Sequence, residues 1–236
     1  KTIQKGETIW GNDLRNYPEA EPASKRFSSF ISVPIGELGV FQVISEEAAH
    51  FTEEEVKLAE ILAGHLREEL LRVRLEEDLR KQATHDPLTD LYNRRYFNET
   101  LGKEVDRCER YDHDLVFLMM DVNRFKEIND RYNHQIGDEV LEEVAELLMD
   151  NVRDADTVVR YGGDEFLVMM PETGGVVDST VDRLKSELKN WNERRSLLDF
   201  PLTLAMGISH WSPSQNREVE DALKEADEKM YEDKDR

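Results

Sequence analysis

The chain has 236 residues with 52 acidic and 31 basic side chains, a formal net charge of -21, and 39 % apolar residues. That length suits one large domain or one domain plus part of another, with enough apolar material for a core, while the acidic balance excludes duplex DNA, RNA or an anionic membrane as the main partner. A single cysteine, Cys108, rules out an internal disulfide and a multi-cysteine zinc site, and no apolar run approaches the roughly 20 residues of a membrane span. The first residues do not form a signal peptide, so a reducing, cytoplasmic location is expected, with an upstream membrane segment in a longer protein left open.

Two apolar runs come first, Phe30-Ile31-Ser32-Val33-Pro34-Ile35 and Gly39-Val40-Phe41-Gln42-Val43-Ile44-Ser45. They read as strands joined through Gly36-Glu37-Leu38. Next, Phe51-Thr52-Glu53-Glu54-Glu55 opens a helix, with Thr52 as N-cap and Glu55 completing a capping box. Few strands and one helix bury little core by themselves, so this part is expected to belong to a larger domain. The Ser-Val-Pro-Ile and Gly-Val-Phe-Gln-Val strands, followed by Phe-Thr-Glu-Glu-Glu and a long exit helix, resemble the C-terminal part of a GAF sensor domain over residues 28–72.

The helix is expected from Val56 to about Ala83. Its stripe changes phase: Leu62, Leu66, Leu70 and Val73 follow one face, and Leu71, Leu75 and Leu79 a rotated one. Two readings stay open. The first half can pack on its own domain while the second meets a partner, or the helix can form a parallel coiled coil with two competing registers.

Acidity concentrates further on: residues 1–83 hold 16 acids and 11 bases, residues 84–236 hold 36 and 20. Here strand and helix patterns alternate. Leu115–Met120 is a continuous apolar run suited to a strand covered on both faces. Val140–Val152 reads as a helix, and Thr157–Tyr161 and Phe166–Met170 as strands around a Gly-Gly turn. A helix over about 176–197, a strand over 202–211 and a helix from about Glu218 complete an α/β or α+β domain.

Asp121 closes the apolar strand, and Asp164-Glu165 follow Gly162-Gly163 at the hairpin tip. If the two strands are neighbours, Asp121 and Asp164 converge, and converging carboxylates call for a hard divalent cation, Mg²⁺ or Mn²⁺. The paired glycines leave backbone N–H groups open to a bulky anion. Lys126 and Asn129 follow Asp121, and Asp138 is an acceptor-only side chain able to take both N–H donors of a guanine edge. Metal, phosphate and base partners all suit one nucleotide.

Arg160-Tyr161-Gly162-Gly163-Asp164-Glu165-Phe166 resembles the signature of the GGDEF family, the diguanylate cyclases. It is accompanied in order by Asp86-Pro87-Leu88-Thr89-Asp90-Leu91-Tyr92-Asn93-Arg94-Arg95, Asp121-Val122-Asn123-Arg124-Phe125-Lys126, Asn129-Asp130, His134, Gly137-Asp138, Ala226-Asp227, Met230-Tyr231 and Lys234. The resemblance covers about residues 84–234. It implies a polymerase-palm, nucleotidyl-cyclase-like fold that joins two GTP into cyclic di-GMP with release of two pyrophosphates, as a homodimer.

By position, the resemblance gives Asp121, the Val122 carbonyl, Asp164 and Glu165 to the metal, with Asp164 and Glu165 catalytic. Asn129 and Asp138 would read guanine, and Lys126 and Lys234 would hold phosphate beside the Gly162-Gly163 backbone. Phe125 and His134 join the substrate-binding set, His134 in a structural rather than catalytic role. Arg153 and Asp156, with Arg107 as a secondary position, match the family's inhibitory product site. Asn123, Asn133 and Ala205 depart from commoner Asp, Gly and Ser, and a phosphate-binding arginine is expected beyond Arg236. Met119 and Met120 are expected to be core or strand-end packing, and Cys108 to be inert. The domain plan is residues 1–52 as a partial GAF-like segment, 53–83 as a signalling helix and coiled coil, and 84–236 as a GGDEF domain. Rival readings are a cyclic di-GMP receptor without turnover and a purely structural dimerisation module.

Overall fold

Strand β5 (Leu115–Val122) is buried at all eight positions, as a continuous apolar run predicts for a strand covered on both faces. The computed structural model describes residues 6–17, 26–171, 177–195 and 197–234. The chain divides into two units, Lys1–Leu79 and Arg80–Arg236.

In the first unit, β1 (Ile9–Gly11), β2 (Ser29–Pro34) and β3 (Val40–Ser45) form an antiparallel sheet in that order. The β2–β3 link is a 3-10 turn at Gly36–Leu38, where Gly36 and Gly39 take φ of +66° and +139°, reachable without strain only by glycine. Helix α1 (Glu53–Thr84) begins with the expected capping box, Thr52 N donating to Glu55 Oε2 at 2.8 Å. Its first turns contribute Val56, Ala59 and Ala63 to a small core with Ile31, Val33 and Phe51. From Leu66 onward both leucine faces are exposed.

The second unit is a five-stranded sheet in the order β4 (Tyr92–Asn93), β6 (Thr157–Arg160), β7 (Glu165–Pro171), β5 and β8 (Leu204–Trp211). Only β4 runs parallel to its neighbour; the other pairs are antiparallel. Alternation along β5 feeds two layers. Val116, Leu118 and Met120 face α3 (Phe125–Tyr132), α4 (His134–Asn151) and α5 (Val177–Arg194), meeting Ile128, Leu141, Leu148 and Leu184. Leu115, Phe117 and Met119 face α2 (Arg94–Tyr111) and α6 (Val219–Lys234), meeting Phe97, Cys108, Ala222 and Met230. Each fully buried side chain of this size contributes about 1.5–3 kcal/mol. Met119 and Met120 are core, as expected, and Cys108 is buried as well.

Several boundaries move. Helix α4 starts at His134 rather than Val140, because the Asn133 side chain caps it, accepting from Gln135 N and Ile136 N at 2.9 and 3.2 Å. Helix α5 stops at Arg194 rather than 197, and residue 176 of that expectation lies outside the described residues, as does Arg236. Strand β8 is an edge, and α6 covers its open backbone: Asp233 accepts from Met206 N at 3.0 Å and Lys229 donates to Ile208 O at 2.9 Å. Among the described residues, no helix is long and apolar enough to cross a membrane.

Candidate active site

The antiparallel register of β5 and β7 sets Asp121 opposite Glu165. One step on, Val122 N donates to the Asp164 carbonyl at 3.1 Å, so the end of β5 is tied to the hairpin tip. The tip is closed by Tyr161 N and Gly162 N, which both donate to Glu165 O, at 2.8 and 3.2 Å. A Cβ on Gly162 would collide with the Glu165 carboxylate, while Gly163 faces open space. The strands are neighbours, as the expected convergence of Asp121 and Asp164 requires, and Glu165 stands opposite Asp121.

Their environment is electrostatically loaded. Asp121 is only 4 % exposed. Burial, then the Asp121 charge, pushes the Asp164 carboxyl above the usual range. Glu165 rises for the same reasons, with Asp227 and Asp164 adding to the repulsion. Lys234, in the last turn of α6, places its ammonium 2.7 Å from Asp121 Oδ1, and that contact raises the lysine's pKa. The same buried Oδ1 has no aligned hydrogen-bond donor. A buried carboxylate oxygen facing only a cation, in an all-oxygen set of Asp121, Asp164 and Glu165, fits Mg²⁺ or Mn²⁺. Among the described residues no three acidic, His or Cys side chains stand at metal-ligand spacing unaided.

Helix α6 reaches this position because β8 has a glycine where the two meet. A Cβ on Gly207 would strike the Ala226 carbonyl and the Met230 N–H. Ser209 Oγ adds a buried hydrogen bond to Ala222 O.

Phe125, Lys126 and Asn129 lie on α3, which begins after Arg124 in a left-handed conformation, φ +60°. Arg124 stacks over Phe200 at 4.1 Å, and Asp199 pairs with Arg131 and accepts from Tyr132, so residues 199–200 strap this helix from outside. Asn129 lies against Gly137: a Cβ there would collide with Asn129 Oδ1 and press on Phe125. Asp138 follows Gly137 on α4 and is exposed. Lys126 and His134 are exposed on the first turns of their helices.

At the start of β6, Asp156 Oδ2 accepts from Arg153 N at 2.8 Å, a turn cap rather than a contact between charged heads. Asp156 Oδ1 is buried without a hydrogen-bond partner, and burial raises that carboxyl. Arg183 of α5, which the sequence reading did not single out, is close enough to oppose that shift and donates to Asn151 O. Arg107, exposed on α2, is 3.7 Å from Glu104 of its own helix.

The sequence reading also passed over Arg160 as a working residue. Its Nη1 donates to Asp86 Oδ1 at 2.8 Å, and its Nε and Nη2 donate to Gly163 O at 3.2 and 2.8 Å. Asp86 accepts further from Thr89 N at 2.9 Å. Burial opposes ionisation of Asp86, but Arg160 and Thr89 together hold its carboxyl below the usual range.

The family model "Diguanylate cyclase, GGDEF domain" matches residues 83–236, well over half of the chain. The chain belongs to the GGDEF family. The chain is 35 % identical over 164 residues to diguanylate cyclase DosC of Escherichia coli K12, an alignment covering 69 % of this chain and 35 % of that protein. The chain thus spans about a third of the length of that curated relative. Among solved structures, the coiled coil and GGDEF domain of DgcB from Caulobacter crescentus in complex with c-di-GMP superimposes with a TM-score of 0.65 at 27 % identity, covering 78 % of this chain and 95 % of that one. Diguanylate cyclase SiaD from Pseudomonas aeruginosa, in complex with its activator SiaC, gives 0.60 at 27 % identity, covering 78 % and 70 %. These likenesses agree with the expected mixed α/β fold preceded by a long helix.

Proposed function

We propose that this chain condenses two GTP molecules into cyclic di-GMP with release of two pyrophosphates. The observation that carries the reading is the convergence of Asp121, Asp164 and Glu165 at the joined ends of β5 and β7, with the Lys234 ammonium against Asp121. A Mg²⁺ or Mn²⁺ held by these carboxylates and the Val122 carbonyl would neutralise charge on the triphosphate and the attacking oxygen. Phosphate oxygens would complete the ligand set.

In this mechanism the 3′-hydroxyl of one GTP attacks the α-phosphate of the other. A P–O bond forms at the 3′-oxygen, the α–β anhydride bond breaks, and pyrophosphate leaves. Asp164 accepts the hydroxyl proton, a role suited to a carboxyl whose proton affinity is raised by burial and by the neighbouring Asp121 charge. The same exchange, with roles reversed, closes the ring. Asn129 and Asp138 select guanine, Lys126 and Lys234 grip phosphate, Gly162 and Gly163 give the α-phosphate room, and Phe125 and His134 complete the substrate site.

Each subunit would bring one GTP, so a homodimer is the working species and alignment of the two halves governs rate. The exposed leucines of α1 supply a coiled-coil face for it, and residues 1–52 a GAF-like sensor segment. Arg153 and Asp156, with Arg107 and now Arg183, form a product site for feedback. The orphaned Asp156 Oδ1 favours that site, and with it the second reading, a cyclic di-GMP receptor.

Incubation of the chain with GTP and Mg²⁺, followed by chromatography, tests the proposal. Cyclic di-GMP is expected from the chain and not from Asp164→Ala. Cyclic di-GMP binding without turnover would select the receptor reading, and Arg153→Ala should then abolish that binding.

A further inference from the structure

We propose that Lys234 is a resident counter-ion that competes with the divalent cation for Asp121 and changes partner, from carboxylate to phosphate, only when nucleotide and metal arrive together. The inference rests on the reading of this site as a nucleotide–metal centre and adds a coupling rule to it.

A carboxylate as buried as Asp121, 4 % exposed, requires a compensating positive charge. The ammonium of Lys234, 2.7 Å from Oδ1, provides it. At 2.7 Å the two heads form a charge pair, and Oδ1 has no other hydrogen-bond partner. Such a contact is exchangeable. Lys234 also sits at the very end of α6 with its side chain 38 % exposed. Its four-carbon stem can therefore swing the head away while the helix stays anchored through Gly207, Ser209 and Asp233.

Two cations cannot share one carboxylate oxygen without strong repulsion. A metal arriving alone must expel the ammonium from Asp121, Asp164 and Glu165, all of which interact with it, into solvent. A metal arriving with a triphosphate gives the ammonium a new anionic partner within the same site. Metal and nucleotide binding are therefore positively coupled, each raising the affinity of the other by the same factor. The free protein should be a poor metal binder although its carboxylates are suited to one.

Mn²⁺ binding by the full chain, followed as loss of the free-ion paramagnetic resonance signal, tests this without turnover. Without nucleotide, Lys234→Met should bind Mn²⁺ about tenfold or more tightly than wild type, the scale on which one close charge shifts such a site. Lys234→Arg, which keeps the charge, should resemble wild type. A non-hydrolysable GTP analogue should raise wild-type affinity for Mn²⁺ more than that of Lys234→Met. A methionine variant that binds Mn²⁺ no more tightly than wild type overturns the counter-ion role alone. Absence of Mn²⁺ binding in every variant, even with the analogue, overturns the metal-centre reading with it.

Discussion

Arg160 bridges segments 74 residues apart, donating from Nη1 to Asp86 Oδ1 at 2.8 Å and from Nη2 to the Gly163 carbonyl at 2.8 Å. Asp86 follows the end of α1 by two residues, and Gly163 adjoins Asp164 at the hairpin tip. One guanidinium thus ties the start of the domain to the turn that presents the carboxylates.

Both side chains of that pair are largely buried, at 15 % and 19 % exposed, so removing one leaves the other charge uncompensated. Arg160→Ala should lower unfolding free energy by about 2–3 kcal/mol in urea titration and depress cyclic di-GMP formation at least tenfold. Arg160→Lys keeps the charge but cannot fork, and should recover stability more than turnover. Unchanged turnover in Arg160→Ala would remove the arginine from any role in positioning the tip.

Asp164 makes the folded state harder to ionise than the unfolded chain. The native form then binds more protons, and stability falls as pH rises from the unfolded value of about 3.9 through the raised folded one. Asp164→Asn should therefore be more stable than wild type at neutral pH. Since the carboxyl is partly open to solvent, the gain should not exceed about 1 kcal/mol. It should shrink to nothing below about pH 4, where wild type is also protonated. Calorimetry across that range checks both the sign and the window.

Gly137 is the floor against which Asn129 rests. The obstacle to a methyl group there is chiefly a short side chain's end, so Gly137→Ala should move Asn129 rather than unfold the domain. Steady-state kinetics should show KM for GTP raised about tenfold, equivalent to about 1.4 kcal/mol of lost binding, with a larger effect on KM than on kcat. A fall in kcat alone would place the guanine contacts elsewhere.

Asn133 holds φ at +111°, in the region that favours glycine, and caps α4 through its side chain, which offsets that strain. Asn133→Gly relieves the strain but loses the cap, and should be near neutral. Asn133→Ala keeps the strain and loses the cap, at a cost of about 2 kcal/mol in thermal or urea unfolding.

The parts of this fold that could be read from sequence are those with strong local patterns. The apolar run of β5, the hairpin around Gly162-Gly163 and the capping box of α1 each sit in one stretch of chain. Helix α2 escaped because only Phe97 and Cys108 are fully buried among its 18 residues, leaving too weak a stripe. Helix α3 has eight residues, too few for a period to register, and β4 only two. At the site, the carboxylates were visible because strand ends and turns mark themselves. The contacts that organise them, Arg160 with Asp86, Lys234 with Asp121 and Arg183 beside Asp156, join distant segments and exist only once the sheet forms.

The stoichiometry of the reaction bears most directly on the account. Phosphorus NMR of the chain with GTP and Mg²⁺ should show two GTP consumed for each cyclic di-GMP and two pyrophosphates, with a rate per chain that rises with protein concentration, and none of this with Asp164→Ala. Release of inorganic phosphate in place of pyrophosphate, or the same products from Asp164→Ala, would contradict it.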